Sequence, residues 1–223
     1  MEPAEIKNSV YRGQAADLLK ELAHSDGFVQ ATRGKIDSSR MLDCEFVNRF
    51  IAFRLLGVER YGGNLEDFLN DAMIRLQKED DDTLERCRKD FLKAMTYARR
   101  IFGDTAFRKL NANGRYGGIN KPLYDAVSVN LAKLSEQDCL ILLERKEQLL
   151  HSYTALLRDA EFLDNITYGT AKIRNVQDRH SKIYKIFQEV LADDCFSVQR
   201  ITIKMDCQPT TSTALPKSGI SFC

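Results

Sequence analysis

The sequence predicts an all-α fold, a bundle of about seven helices with an irregular C-terminal tail. Three observations predict it: apolar residues recur with a helical period along most of the chain, helix-start and helix-stop residues bracket the periodic runs, and no convincing strand run lies among them. The first helix is expected over Gln14 to His24. From Met41 to Leu56 apolar residues stand at positions 42, 46, 47, 50, 51, 53 and 55, a wider stripe than a surface helix carries, which marks this as the central helix. Leu65, Phe68, Leu69, Ala72, Met73 and Leu76 then form one amphipathic stripe, capped by Asn64 after the Gly62-Gly63 turn.

The next stripe, Leu84, Cys87, Phe91, Met95, Ala98 and Phe102, starts after a cap at Asp82 or Thr83 and stops at Gly103. The acidic run Glu79 to Asp82 precedes it, where carboxylates complement the positive end of the helix dipole. Residues 111 to 121 combine three Gly with three Asn and read as an irregular loop. Three helices follow: Pro122 to Leu134 with proline in the first turn, Glu136 to Arg158 behind a Ser135 cap, and Ile173 to Leu191. The expected core takes in Phe46, Phe50, Ile51, Phe68, Leu69, Met73, Phe91, Met95, Leu142, Leu149, Leu156 and Phe187. Residues 1–192 thus form the helical domain. From 193 to 223 the chain is rich in Ser and Thr, carries Pro209 and Pro216, and has one short alternating piece at Val198 to Ile203, so a poorly ordered tail is expected.

Composition narrows the function classes. With 33 Lys and Arg against 32 Asp and Glu in 223 residues, the net charge of +1 excludes a protein that coats polyanions by bulk charge. The longest apolar stretches, Phe50 to Phe53 and Cys139 to Leu143, fall far short of the roughly 20 residues a membrane helix needs. The opening residues, with Glu2, Pro3 and Glu5, do not place a basic segment before an apolar one, so a cytoplasmic chain without a membrane partner is expected. The six cysteines form no C-x-x-C pair and read as reduced thiols.

Few motifs carry chemistry. His24, His151 and His180 stand far apart with no second ligand at metal spacing, and read as surface or interhelical residues. Glu144-Arg145-Lys146 matches half of a nuclease signature, but in mid-helix rather than on the strand that would aim both side chains at one metal. The glycines at 113 to 118 and 169 to 170 lack the G-K-[ST] ending of a phosphate-binding loop, and there is no G-x-S-x-G elbow. No catalytic residue, metal or cofactor is predicted.

Charge distribution says more. Between Thr83 and Lys121 ten Lys and Arg face Glu85, Asp90 and Asp104, a net of +7 within a chain of net +1. On a helical wheel Arg86, Lys89, Lys93 and Arg100 gather in one sector opposite the apolar stripe, so this row should face outward. Together with Arg108, Lys109 and Arg115 it is a candidate nucleic-acid surface, each phosphate contact adding salt-dependent affinity by counterion release; the alternative is a solvated face or one that docks on an acidic partner.

The segment Glu5-Ile-Lys-Asn-Ser-Val-Tyr-Arg-Gly13 resembles the E-I-R-N-x-x-Y-x-G stretch of the GmrSD-type restriction endonuclease N-terminal domain family, in which a ParB-like nucleotide-hydrolysing or nuclease half precedes a helical half. Further pieces are similar to the helical half: Arg40-Met-Leu-Asp-Cys-Glu-Phe-Val-Asn-Arg-Phe50, Gly63-Asn-Leu-Glu-Asp-Phe-Leu-Asn70, Ile119-Asn-Lys-Pro-Leu-Tyr-Asp125, and Gly169-Thr170 with Arg179 downstream. The likeness covers about residues 2 to 192 and departs at Lys7, where the family usually has Arg. The family's catalytic Asp-Gly-Gln-Gln-Arg motif is nowhere in the chain. The resemblance implies a helical half alone: a non-catalytic module of a DNA-directed restriction or defence protein, paired with a separately encoded or lost ParB-like half or nuclease subunit. A freestanding nucleic-acid-binding module and a truncated remnant of a split gene stand as alternatives. It further implies that Lys7, Asn8 and Arg12 contact the missing half, a nucleotide or DNA, or serve only structure. Arg40 and Arg49 would fix helix packing by ion pairs or point into an interdomain cleft. Asn120 and Lys121 would cap a helix or face a ligand, and Thr170 and Arg179 share that ambiguity.

Overall fold

The computed structural model describes residues 13–38, 41–111 and 113–193, and among them the chain is helical almost throughout. Ten α-helices appear rather than about seven: α1 Gln14–Ala23, α2 Asp26–Thr32, α3 Leu42–Leu55, α4 Leu65–Leu76, α5 Asp81–Phe102, α6 Lys121–Lys133, α7 Glu136–Glu144, α8 Lys146–Arg158, α9 Ala160–Asn165 and α10 Ile173–Ala192. The three additional helices have local causes. Helices α2 and α9 are short, seven and six residues, and begin at Ser25 and Asp159, whose side chains accept from the Phe28 and Phe162 amides. The expected single helix over Glu136 to Arg158 divides at Arg145, which leaves helical geometry at φ −97°, ψ 24° and donates from Nη1 to the carbonyls of Val190 and Leu191 at the end of α10. Glu144-Arg145-Lys146 therefore sits at an elbow, not in mid-helix.

A second departure is a small antiparallel hairpin, β1 Arg108–Leu110 with β2 Tyr116–Ile119, inside the stretch expected to be an irregular loop. Its register is irregular between Arg108 and Leu110, and the Arg108 guanidinium closes it by donating to the carbonyls of Gly117 and Tyr116. The expected caps mostly hold. Asn64 accepts from the Glu66 and Asp67 amides, Ser135 and Asp138 form a reciprocal capping box, and Gly103 ends α5 with φ +56°. The cap of α5 is Asp80, not Asp82 or Thr83: its carboxylate accepts from the Thr83 amide at 2.8 Å, and hydrogen bonding from the Thr83 side chain, then from that amide, lowers its pKa.

Helices α3 and α6 form the centre. Ten of the fourteen residues of α3 and eleven of the thirteen of α6 are buried, so both are enclosed on nearly every side. Aromatic rings join them to their neighbours: Phe46 meets Tyr124 edge-on at 4.9 Å, Phe50 meets Phe91 at 5.1 Å, and Phe107 meets Tyr124 at 4.9 Å. All twelve expected core residues lie in or against this cluster, Leu69 and Leu156 at its partly buried margin. One compact unit runs to Leu191. The expected irregular tail lies outside the described residues except for Asp193. No described helix is long and apolar enough to cross a membrane. Cys44, Cys87 and Cys139 are buried free thiols, as expected, while the other three cysteines lie outside the described residues.

Candidate functional site

Helix α6 begins where the Asn120 side chain accepts from the Leu123 amide at 2.9 Å, and Pro122 occupies its first turn. The other end of the same amide donates to the Ile166 carbonyl at 2.8 Å, and the Asn120 backbone N–H donates to Phe107 O at 2.8 Å. Asn120 is thus a structural node joining the hairpin, α6 and the end of α9. One turn into α6 stands Asp125, a fully buried carboxylate on an apolar helix. Such a group stays charged only if it is paired and hydrogen-bonded. Arg49 on α3 supplies both requirements as a fork, its Nε donating to Oδ1 at 2.9 Å and its Nη2 to Oδ2. Burial works against the Arg49 charge, but Asp125 outweighs it and raises the pKa above that of an ordinary guanidinium.

A second guanidinium reaches the same carboxylate. Arg179 of α10 is 1 % exposed, its Nη2 is 3.7 Å from Asp125 Oδ2, and its Nη1 donates to the Thr170 carbonyl at 2.7 Å. With Asp125 already taken by Arg49, Arg179 is the less compensated of the two. Burial, together with the neighbouring Arg49 charge, brings its pKa down to about 10 despite Asp125. Next to it, His180 is buried against the Phe53 ring at 5.1 Å, with neither ring nitrogen bonded to protein.

Arg49 and Arg179 open onto a cleft of about 330 Å³ between the start of α6, the α9–α10 connection and α10. Its lining includes Arg49, Lys121 and Arg179 and no carboxylate. Lys121 Nζ donates to both oxygens of Glu45 at 2.7 and 2.8 Å and lies 5.7 Å from the Phe46 ring centroid. Tyr61 closes one side by donating to the Ala171 carbonyl at 2.8 Å.

Five residues expected to face a partner or ligand, Arg49, Asn120, Lys121, Thr170 and Arg179, therefore line one cleft although they are scattered from position 49 to 179. Lys7, Asn8, Arg12 and Arg40 lie outside the described residues. Sequence reading missed Asp125, the centre of the ion cluster. The available signal was a lone carboxylate among Leu123, Tyr124, Ala126 and Val127, a position that requires a buried cationic partner.

The seven residues of the expected nucleic-acid surface are not brought together as one free row. Arg86, Lys89 and Arg100 are exposed on α5, and Arg115 is exposed at the hairpin turn. Lys93 departs from the expected outward row: it is largely covered and donates to the Leu134 carbonyl at 2.6 Å, because the end of α6 and the start of α7 pack on that side. Arg108 serves the hairpin, and Lys109 donates to the Thr167 hydroxyl at 3.2 Å. Acidic groups from other segments also reach this region, Glu21 holding Arg88 and Glu136 accepting from Tyr97 at 2.6 Å. No group of three or more His, Cys, Asp or Glu among the described residues is placed to hold a metal ion.

His180 makes the stability depend on pH. Burial, and then the Arg179 charge, lowers its pKa well below the ordinary 6.5, so the folded state keeps it neutral while the unfolded chain takes up a proton as the pH falls through 6.5. The stability it contributes is present above that pH and is lost below it, by up to about 1.4 kcal/mol per pH unit for one proton. Urea denaturation above and below pH 6.5 is expected to show a steeper acid-side decline for the natural chain than for His180→Leu; equal slopes would show that His180 titrates freely in the fold.

No family model, curated protein or solved structure matches this chain.

Proposed function

We propose that this chain is a non-catalytic helical module of a DNA-directed restriction or defence protein, working in the cytoplasm with a missing or separately encoded ParB-like half. The observation that carries the reading is the gathering of Arg49, Asn120, Lys121, Thr170 and Arg179, all drawn from the motifs of the family resemblance, around one cleft. Motif order along a sequence has no intrinsic reason to converge in space. Convergence on the start of α6 is what a set of motifs selected for one shared surface would produce.

The second reading, a freestanding nucleic-acid-binding module, is favoured by a separate observation, the exposure of Arg86, Lys89 and Arg100 along α5. The two readings are separated by one set of measurements. Co-expression with a flanking reading frame that encodes an Asp-Gly-Gln-Gln-Arg motif is expected to give a complex that co-elutes in size-exclusion chromatography. DNA titration at two salt concentrations is expected to give salt-dependent binding by the complex and little by this chain alone. Strong salt-dependent binding by the isolated chain, abolished by Arg86→Glu, Lys89→Glu and Arg100→Glu together, would instead establish the second reading. A flanking frame that carries the motif but whose product never co-elutes would overturn the first.

A further inference from the structure

The cleft beside α6 has a charge imbalance that the protein's own groups do not settle. Arg49 occupies both oxygens of Asp125, which leaves Arg179 with one distant contact to that carboxylate and one carbonyl. The Arg179 Nε is buried without a protein partner. Desolvating a guanidinium with so little compensation is costly, and a neutral side chain of similar volume would avoid the cost. Lys121, already paired with Glu45, brings an ammonium donor to the lining, and the α6 N-terminus brings the positive end of its dipole to the same place. Thr167 supplies a hydroxyl there that already accepts from Lys109, which leaves its own hydrogen free to donate to another acceptor. The lining holds three cations, Arg49, Lys121 and Arg179, against two carboxylates, Asp125 and Glu45, that pair with them from outside it, and the surplus positive charge together with the hydroxyls is complementary to an oxyanion.

We propose that this cleft binds a terminal phosphate group, held by Arg179 and Lys121 with help from Thr167. A tetrahedral dianion suits the arrangement better than a planar carboxylate, because its oxygens can meet a guanidinium, an ammonium and a hydroxyl in different directions. A volume of about 330 Å³ lies at the small end of ligand pockets and is too confined for a duplex. The phosphate belongs either to a small phosphorylated molecule or to the end of a single nucleic-acid strand. The inference does not require a ParB-like partner, so failure of the co-elution experiment leaves it standing.

Isothermal titration calorimetry on the full chain tests it with inorganic phosphate and with one short single-stranded oligonucleotide, 5′-phosphorylated or unphosphorylated. Binding of inorganic phosphate supports the site and points to a small-molecule source. Binding of the phosphorylated oligonucleotide only, with no response to inorganic phosphate or the unphosphorylated strand, supports it with a strand end as the source. In either case Lys121→Gln is expected to weaken binding about tenfold and Arg179→Gln at least as much, the scale of losing a charge-assisted hydrogen bond, while Lys185→Gln, at an exposed lysine outside the cleft, leaves it unchanged. Because Arg179→Gln disturbs a buried ion cluster, Lys121→Gln and Thr167→Val, both at the rim, carry the test if that variant fails to fold. Absence of binding to every probe, or binding that Lys121→Gln and Thr167→Val leave intact, would overturn the proposal.

Discussion

Asp125→Ala is expected to destabilise the fold by about 3–5 kcal/mol, the range for removing one partner of a buried ion pair. The loss arises from what remains: Arg49 and Arg179, 4 % and 1 % exposed, would share a desolvated space with no anion between them. Equilibrium urea denaturation measures it. The companion double substitution, Arg49→Met with Asp125→Leu, removes the charge and its partner together and is expected to recover most of the loss, since apolar groups of similar volume often replace a buried pair without penalty. A single-variant loss below about 1 kcal/mol would mean that water reaches the pair and that the cleft floor is more open than described.

Phe91→Ala is expected to cost a similar amount, about 3–5 kcal/mol, by a different route. The ring is fully buried on α5 and touches Phe50 of α3 at 5.1 Å and Phe28 of α2 at 5.8 Å, so truncation opens a void where three helices meet. The midpoint of urea denaturation should fall while its slope stays constant, as for a change in stability alone. Phe91→Leu keeps most of the volume and should cost much less. Tyr168→Ala, at a residue 71 % exposed, should stay within about 0.5 kcal/mol and serves as the control. If Phe91→Ala behaved like the control, the aromatic cluster would not be the centre of the fold.

Much of this fold is legible in the residues, because helix periodicity and capping are local. Asn64, Ser135 and Gly103 can be placed from a few neighbours each, and in the structure the first two start helices and the third ends one. The elbow at Arg145 cannot, since Glu136 to Arg158 keeps a helical period with no Gly or Pro, and the break coincides with carbonyls some 45 residues away. The hairpin is too short for an alternating pattern to show, and Arg108 holds it through a tertiary contact of its side chain. The same distinction governs the cleft. Its individual polar residues are visible as members of motifs, whereas their meeting depends on how α3, α6 and α10 cross. The outward row on α5 illustrates the reverse error: a wheel places Lys93 by angle alone and has no knowledge of the α6 terminus packed against it.

The sharing of one carboxylate by two guanidiniums has a lasting electrical consequence. Arg49 holds its proton more tightly than a free arginine, and Arg179 loses its own only near pH 10. The floor of the cleft therefore stays cationic across the whole physiological range of acidity, unlike a histidine-based pocket that switches within it. Dissolved electrolyte, which can reach the mouth but not the buried pair, is the environmental variable to which this region responds.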